Sequence, residues 1–299
     1  MGRRPYPFRT DNGVSPGDPR LSRRPWAGRG PPVTVISVPV ADKAIVVTGA
    51  GRGIGRALAT RMAADGARVV VNDINADAVT AVAKEIGAHA IPGDAASEDG
   101  AAALVTAARE HLGAIDIWFG NAGISRGHGL DASGSSEADW AASLEVNVLA
   151  HVRAARLLVP EWLERGGGRF VVTASAAGLL TLLGSPTYSV TKHGAVAFAE
   201  WLSATYRHRG IVVQAICPQG VKTDMLAGSG SLTGLLSHDT ALEPADVAEA
   251  ARRAMEHDQF LILPHPEVAG YYAGRAAEPD RWLAGMNKLQ RRLEEGELR

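Results

Sequence analysis

From Ala41 onward the sequence alternates short β-branched, apolar runs with long Ala-rich stretches of helical periodicity. The runs Ala44–Thr48, Ala67–Asn72, Ala114–Phe119, Arg169–Thr173 and Ile211–Cys217 predict strands, with weaker ones at His89–Ile91 and Phe260–Leu263. The intervening stretches predict helices near 54–65, 75–87, 97–112, 137–164, 187–208 and 244–257. Strands that are apolar throughout and joined by helices belong in a parallel sheet covered on both faces. Right-handed crossovers then make the sheet doubly wound, an α/β fold with helices on both faces. The 299 residues, 46% of them hydrophobic, suffice for one domain of this kind, expected at 39–270.

The flanks have a different composition. Residues 1–32 hold seven Pro, five Gly and seven Arg against two Asp, a net of +5, and show no apolar periodicity. Such a segment buries too little surface to offset chain entropy, so 1–38 is expected to be a disordered, dispensable extension. At the other end, 271–299 has helical composition, with Trp282, Leu283, Met286 and Leu289 placed to cover a neighbour or the active site. The whole chain has a net charge of −1, which offers no electrostatic case for nucleic acid. No apolar run approaches the ~20 residues of a membrane span. The single cysteine, Cys217, allows no internal disulfide and suits a reducing cytoplasm. No Cys/His cluster or paired acidic motif suggests a metal.

The first predicted strand runs into Thr48-Gly49-Ala50-Gly51-Arg52-Gly53-Ile54-Gly55 and a helix follows. Glycines there let the chain turn tightly and bring bare N–H groups onto a pyrophosphate, where the helix dipole adds to the attraction. The spacing is T-G-x-x-x-G-x-G rather than G-x-G-x-x-G. Asp73 ends the second strand, 24 residues after Gly49 and 18 after Gly55, close to the distance expected for an acid on the adenosine ribose of a Rossmann-type dinucleotide site. A carboxylate there repels a 2′-phosphate and favours NAD over NADP. Two other readings stand beside it: Asp73 as a helix-capping residue, and Arg52 as a partner for a 2′-phosphate.

Tyr188-Ser189-Val190-Thr191-Lys192 puts Tyr and Lys at i and i+4, on one helix face. A phenol is a poor base at neutral pH, and a neighbouring ammonium lowers its pKa. Hydride transfer needs such a group, because the alcohol proton leaves as the hydride departs. Ser175 lies 13 residues upstream of Tyr188 after an apolar strand, where its hydroxyl can donate to a substrate oxygen. Asn147 lies in the long helix before that strand, and Asn121-Ala122-Gly123 follows another. Each alone reads equally as a cap, turn or surface residue; the ordered set is what carries weight.

That set resembles the classical short-chain dehydrogenase/reductase family over roughly residues 40–265. The resemblance makes Thr48–Gly55 the nucleotide turn, Asp73 the NAD-type acid, and Asp94 with Ala95 the adenine contact. It makes Asn121–Gly123 the element that steadies the central strands. Tyr188 becomes the acid/base, Lys192 the ribose-binding residue that tunes it, Ser175 the substrate-oxygen donor and Asn147 the holder of a proton-relay water. Pro218, Gly220, Val221 and Thr223 become nicotinamide contacts. Two positions depart from the pattern: Gly120 stands where the family commonly has a second Asn, and Gln219 replaces the first Gly of P-G-x-V-x-T.

The resemblance implies a substrate lid near 224–243 and a homodimer or homotetramer packed through the helices bearing Asn147 and Tyr188. Gly178–Leu183, with Leu226, Leu232, Leu235 and Leu236, either walls an apolar substrate pocket or packs a helix or subunit contact. The leading expectation is an NAD-dependent dehydrogenase of a hydrophobic secondary alcohol. The alternatives are an NADPH-dependent carbonyl or ketoacyl reductase and a non-catalytic nucleotide-binding scaffold.

Overall fold

In a computed structural model, residues 40–227 and 241–296 are described. The expected extension 1–38, and Leu232, Leu235 and Leu236 of the expected lid, lie outside them. The elements are β1 (Ala44–Thr48), α1 (Gly53–Ala64), β2 (Arg68–Asp73), α2 (Ala76–Ile86), β3 (His89–Pro92), α3 (Glu98–Leu112) and β4 (Ile117–Gly120). There follow α4 (Glu137–Leu144), α5 (Ala150–Arg165), β5 (Gly168–Thr173), α6 (Ala177–Leu180), α7 (Pro186–Tyr206) and β6 (Ile211–Ile216). The chain continues through α8 (Asp224–Ala227), α9 (Pro244–Ala254), β7 (Leu261–Ile262), α10 (Glu267–Ala277) and α11 (Pro279–Glu294). The order β3-β2-β1-β4-β5-β6-β7 is parallel throughout. It is the doubly wound Rossmann-type sheet expected from the alternation.

Side chains of alternate strand positions point to opposite faces, and each face has its own core. Val46, Trp118, Phe170 and Val172 pack with Leu158, Trp162 and Leu202 on one side. Ile45, Val47, Phe119 and Val171 pack with Leu58, Met62, Val79 and Val247 on the other. The strands therefore read as unbroken apolar runs because both faces are covered. Among the described residues no helix is long and apolar enough to cross a membrane.

The single helix expected over 137–164 is two helices, joined by a π turn at Glu145–Leu149 in which the Ala150 amide donates to the Glu145 carbonyl. One residue more than a straight helix uses is taken up at this point. Asn147 lies within the turn and is fully buried.

The departure at Gly120 has a steric reason. A Cβ there would lie 2.6 Å from Nδ1 of His151 and 3.0 Å from its Cε1. The His151 ring fills the space that an Asn side chain would take, edge-on to Phe170 at a centroid separation of 6.5 Å. Among the described residues its buried Nε2 has no hydrogen-bond partner. Burial, followed by the charge of Lys192, pushes its pKa down from 6.5 to about 3.

Gly120→Ala should destabilise the fold by about 1–3 kcal/mol. Adding His151→Ala should make the double variant much less destabilised than the two single costs summed, read from urea unfolding midpoints. His151 also sets a pH dependence. Its folded pKa lies below the unfolded value, so the unfolded chain binds the extra proton and stability falls as pH drops from 6.5 toward about 3. The slope from this one group approaches ~1.4 kcal/mol per pH unit, and His151→Ala should flatten the profile in that window.

Candidate active site

The carboxyl ends of β1 and β4 lie side by side where the winding of the sheet reverses, the usual place for a ligand cleft in this architecture. A cleft of about 1490 Å³ opens there and extends from Asp73 and Asp94 past the glycine turn to Ser175 and Tyr188.

At one end is the glycine turn. Gly49 has φ +62°, and a Cβ on it would meet the Ala122 Cα at 2.8 Å. A Cβ on Gly55 would lie 2.1 Å from the Gly49 carbonyl oxygen. Both glycines are therefore required by close backbone approach. Asn121 fastens the turn: its Nδ2 donates to the carbonyls of Thr48 (3.0 Å) and Gly49 (3.1 Å). The Thr48 hydroxyl accepts from the amides of Asn121 and Ala122, at 3.0 Å each, and donates to the Phe119 carbonyl.

Asp73 accepts from the Gly51 amide at 2.9 Å and from the Asn75 amide at 3.0 Å. The cap of α2 is Asn75, whose side chain accepts from the Ala78 amide, so the carboxylate of Asp73 lines the cleft rather than capping the helix. Arg52 pairs at 2.9 Å with Asp224, and both side chains are about three-quarters exposed, at 77% and 73%. Asp94 and Ala95 line the same end of the cleft. Burial alone would raise the Asp94 carboxyl, but the Ala96 amide and the hydroxyl and amide of Ser97 together hold it below its usual range.

At the other end α7 presents Tyr188 and Lys192. Gly178 lets α6 press against the α7 backbone, since a Cβ on it would sit 2.5 Å from the Lys192 carbonyl oxygen. The Lys192 ammonium donates to the Thr173 carbonyl at 2.8 Å and lies 5.6 Å from the centre of the Tyr188 ring. Burial pushes its pKa down to about 8, with Cys217 acting slightly the other way. For Tyr188 the expectation was a phenol lowered by Lys192. Instead burial raises it, the Ser175 hydroxyl draws it partly back, and Cys217 adds a small upward push. Desolvation outweighs the pull of Ser175. The Ser175 hydroxyl also accepts from the Ala177 amide at 3.1 Å.

Both Nδ2 hydrogens of Asn147 are committed, one to the Ile124 carbonyl at 2.9 Å and one to the Thr191 hydroxyl at 3.0 Å, while Oδ1 accepts from the Ile124 amide. Its side chain thus ties the segment after Asn121–Gly123 to the helix of Tyr188. Gln219 takes the place of glycine without strain, because its φ is not positive. Its amide is held by Nδ1 of His265 at 3.2 Å. Pro218, Gly220, Val221 and Thr223 line the cleft, and a Cβ on Gly53 would lie 3.2 Å from the Thr223 methyl.

The sequence profile of the short chain dehydrogenase family matches residues 43–231. The chain belongs to this family. It is 34% identical over 232 residues to the 1-deoxy-11-beta-hydroxypentalenate dehydrogenase of Streptomyces exfoliatus, an alignment covering 76% of this chain and 84% of that one. It is 33% identical over 242 residues to the cyclohexanol dehydrogenase of Acinetobacter sp. (strain SE19), covering 78% and 96%. A short-chain dehydrogenase/reductase from Burkholderia phymatum in complex with NAD superposes with a TM-score of 0.74 at 27% identity, covering 81% of this chain and 96% of that one. The two relatives are named as dehydrogenases of hydroxyl-bearing compounds, and the Burkholderia phymatum structure holds NAD.

Ser175, Tyr188, Lys192 and the described cofactor-site candidates other than Gly51 line one cleft, whereas Gly51 and the fully buried Asn147 do not line it. The Gly178–Leu183 run divides. Leu179 and Leu180 are buried in the core, and only Leu182 of the run's leucines reaches the cleft. The Leu179 carbonyl and His193 both engage Arg275 of α10, so the C-terminal helices brace the wall from behind. Missed from sequence were Ile74, which is 80% exposed beside Asp73, and Arg126, His128 and Ser185 around the substrate end. Position directly after Asp73, and after Asn121–Gly123, was the available signal.

Tyr188→Phe removes one oxygen and leaves the packing nearly unchanged. Turnover should fall by ~10²–10⁴-fold, with NADH binding by fluorescence little altered. Lys192→Ala should weaken both, and the double variant should lose far less than the product of the two effects. Near-normal turnover in Tyr188→Phe would remove this residue from the chemistry.

Proposed function

We propose that this protein is an NAD-dependent dehydrogenase of a secondary alcohol on an apolar, ring-bearing skeleton. The observation that carries the proposal is that Ser175, Tyr188 and Lys192 line the same cleft as the glycine turn, with the Lys192 ammonium 5.6 Å from the centre of the Tyr188 ring. The names of the pentalenate and cyclohexanol relatives, both alicyclic alcohol dehydrogenases, support the substrate class.

The residues fit the cofactor. Glycines leave the turn bare, Asp73 supplies a carboxylate at the end of β2 for a ribose, and Ile74 offers an apolar edge to adenine. A nicotinamide held there would supply the hydride acceptor for oxidation and the donor for reduction. Ser175 donates a hydrogen bond to the substrate oxygen, and Tyr188 takes the alcohol proton during oxidation or returns it during reduction. Lys192 holds positive charge beside the ring and stabilises the phenolate as it forms. Asn147 acts through Ile124 and Thr191, tying the segment after Gly123 to the helix of Tyr188. Because burial raises the phenol, Tyr188 rests protonated at neutral pH, ready as an acid for reduction. Alcohol oxidation should therefore speed up from neutral to alkaline pH, while ketone reduction should not.

NAD is favoured over NADP because Asp73 stands where a 2′-phosphate would sit and Arg52 is engaged by Asp224. The exposed apolar residues Leu144 and Leu149 around the π turn, and Val190 and Trp201 on α7, support a homo-oligomer built on these helices. Light scattering should then give a multiple of the 31.3 kDa chain mass.

Assay of cyclohexanols, terpenols and hydroxysteroids by NADH absorbance tests the activity, and absence of turnover with all of them would overturn it. The wild type should show the higher kcat/KM with NAD, and Asp73→Ala should relax that preference. A higher kcat/KM of the wild type with NADP would reverse the assignment of Asp73.

A further inference from the structure

The cations lining the cleft are nearly all spoken for. Arg52 pairs with Asp224, Arg56 with Glu85 at 2.8 Å, and Lys222 with Glu243 at 2.6 Å. Arg61 is held by Asp65 and Glu249, and Lys192 by the Thr173 carbonyl. Arg126 differs. It lines the same cleft as Ser175 and Tyr188 and is exposed, and among the described residues its guanidinium makes no hydrogen bond or ion pair. The acid that feels its charge is Asp139, whose Oδ2 is already committed to the amide and hydroxyl of Ser136 at 3.1 and 2.7 Å.

The backbone under Arg126 is fixed. Its carbonyl accepts from the hydroxyl of Thr187, a fully buried residue immediately before Tyr188. The Gly127 carbonyl accepts from Ser135 at 2.8 Å, the Gly129 amide donates to the Gly184 carbonyl at 3.0 Å, and the Leu130 carbonyl accepts from Gln290 of α11 at 3.0 Å. The guanidinium therefore extends from a point anchored beside the reacting hydroxyls, in a loop held by α7 and the C-terminal helix. The same cleft also carries the apolar side chains of Ile124, Val146, Leu182 and Leu226. A planar five-donor cation on a fixed base suits a carboxylate, which it can hold through two parallel hydrogen bonds.

We propose that Arg126 binds a carboxylate carried by the substrate at a distance from the carbinol carbon, so that the preferred substrate is an alicyclic hydroxy acid. The inference rests on the alcohol-dehydrogenase reading and adds the second point at which the substrate is held.

The test uses an isosteric pair, 4-hydroxycyclohexanecarboxylate and 4-hydroxycyclohexanecarboxamide, with the full chain and NAD. In the wild type kcat/KM should favour the carboxylate by about tenfold or more. Arg126→Gln should bring the ratio close to one, and Arg126→Lys should retain part of it, as a charge without the fork. In parallel, calorimetry should show cyclohexanecarboxylate binding to the wild-type enzyme–NADH complex more tightly than cyclohexanecarboxamide, and losing that advantage in Arg126→Gln. If both alcohols are oxidised with a ratio unaffected by Arg126→Gln, the carboxylate site is overturned and the alcohol-dehydrogenase reading stands. If neither is oxidised but carboxylate binding still depends on Arg126, the proposed activity fails and the site survives. No turnover and no Arg126-dependent binding would overturn both.

Discussion

Between β1 and β4 the winding of the sheet reverses, and the amide of Asn121 is what joins their open ends. Its two donors reach the last carbonyl of β1 and the first carbonyl of the glycine turn, while the Thr48 hydroxyl gathers the amides of Asn121 and Ala122. Backbone groups left bare in such a crevice would be costly, and here they are paired with each other through two side chains. The phosphate end of the cleft is thereby set relative to the segment Gly123–Ile124, which Asn147 ties in turn to the helix of Tyr188. The chain of contacts from Gly49 to Tyr188 runs through hydrogen bonds of 2.9–3.3 Å and the backbone of Asn121–Ile124.

Burial governs the protons of this region more than charge pairing does. Lys192 is moved toward its neutral form, His151 is held neutral, and the Cys217 thiol is pushed up to about 12. The Tyr188 phenol moves the same way. Four groups near one another thus share a low-dielectric setting in which each resists its charged state. A proton arriving from a substrate oxygen enters an environment with few competing charges.

Much of this was legible in the sequence, for reasons that are local. A parallel sheet covered on both faces writes itself as apolar runs between helices, and a nucleotide turn needs glycines wherever backbones touch, as at Gly49 and Gly55. Tyr188 and Lys192 share a face because four residues make about one helical turn. What stayed hidden depended on where distant segments land. Leu179 and Leu180 look like pocket residues by their position before Tyr188, yet the packing of α6 on α7 and α10 turns them inward. The fit of Gly120 to His151 joins residues 31 apart. Arg126 is an unremarkable loop residue until Thr187 anchors it next to the reacting hydroxyls. The break after Leu144 was invisible because one surplus residue barely disturbs an amphipathic pattern.

That surplus residue ties the length of the chain to the orientation of its side chains. The helices on either side of the π turn at Glu145–Leu149 are in different phases, offset by the roughly 100° that a single residue adds to an α-helix. The first phase carries the Ser136–Asp139 cap that starts the helix, and the second carries the apolar face of Ala154, Leu158 and Trp162 into the core. Asn147 belongs to the junction and not fully to either. Losing one codon here would bring the two phases together and rotate one half of the helix against the other. A change in length of one residue would in this segment act as a rearrangement of the cleft wall.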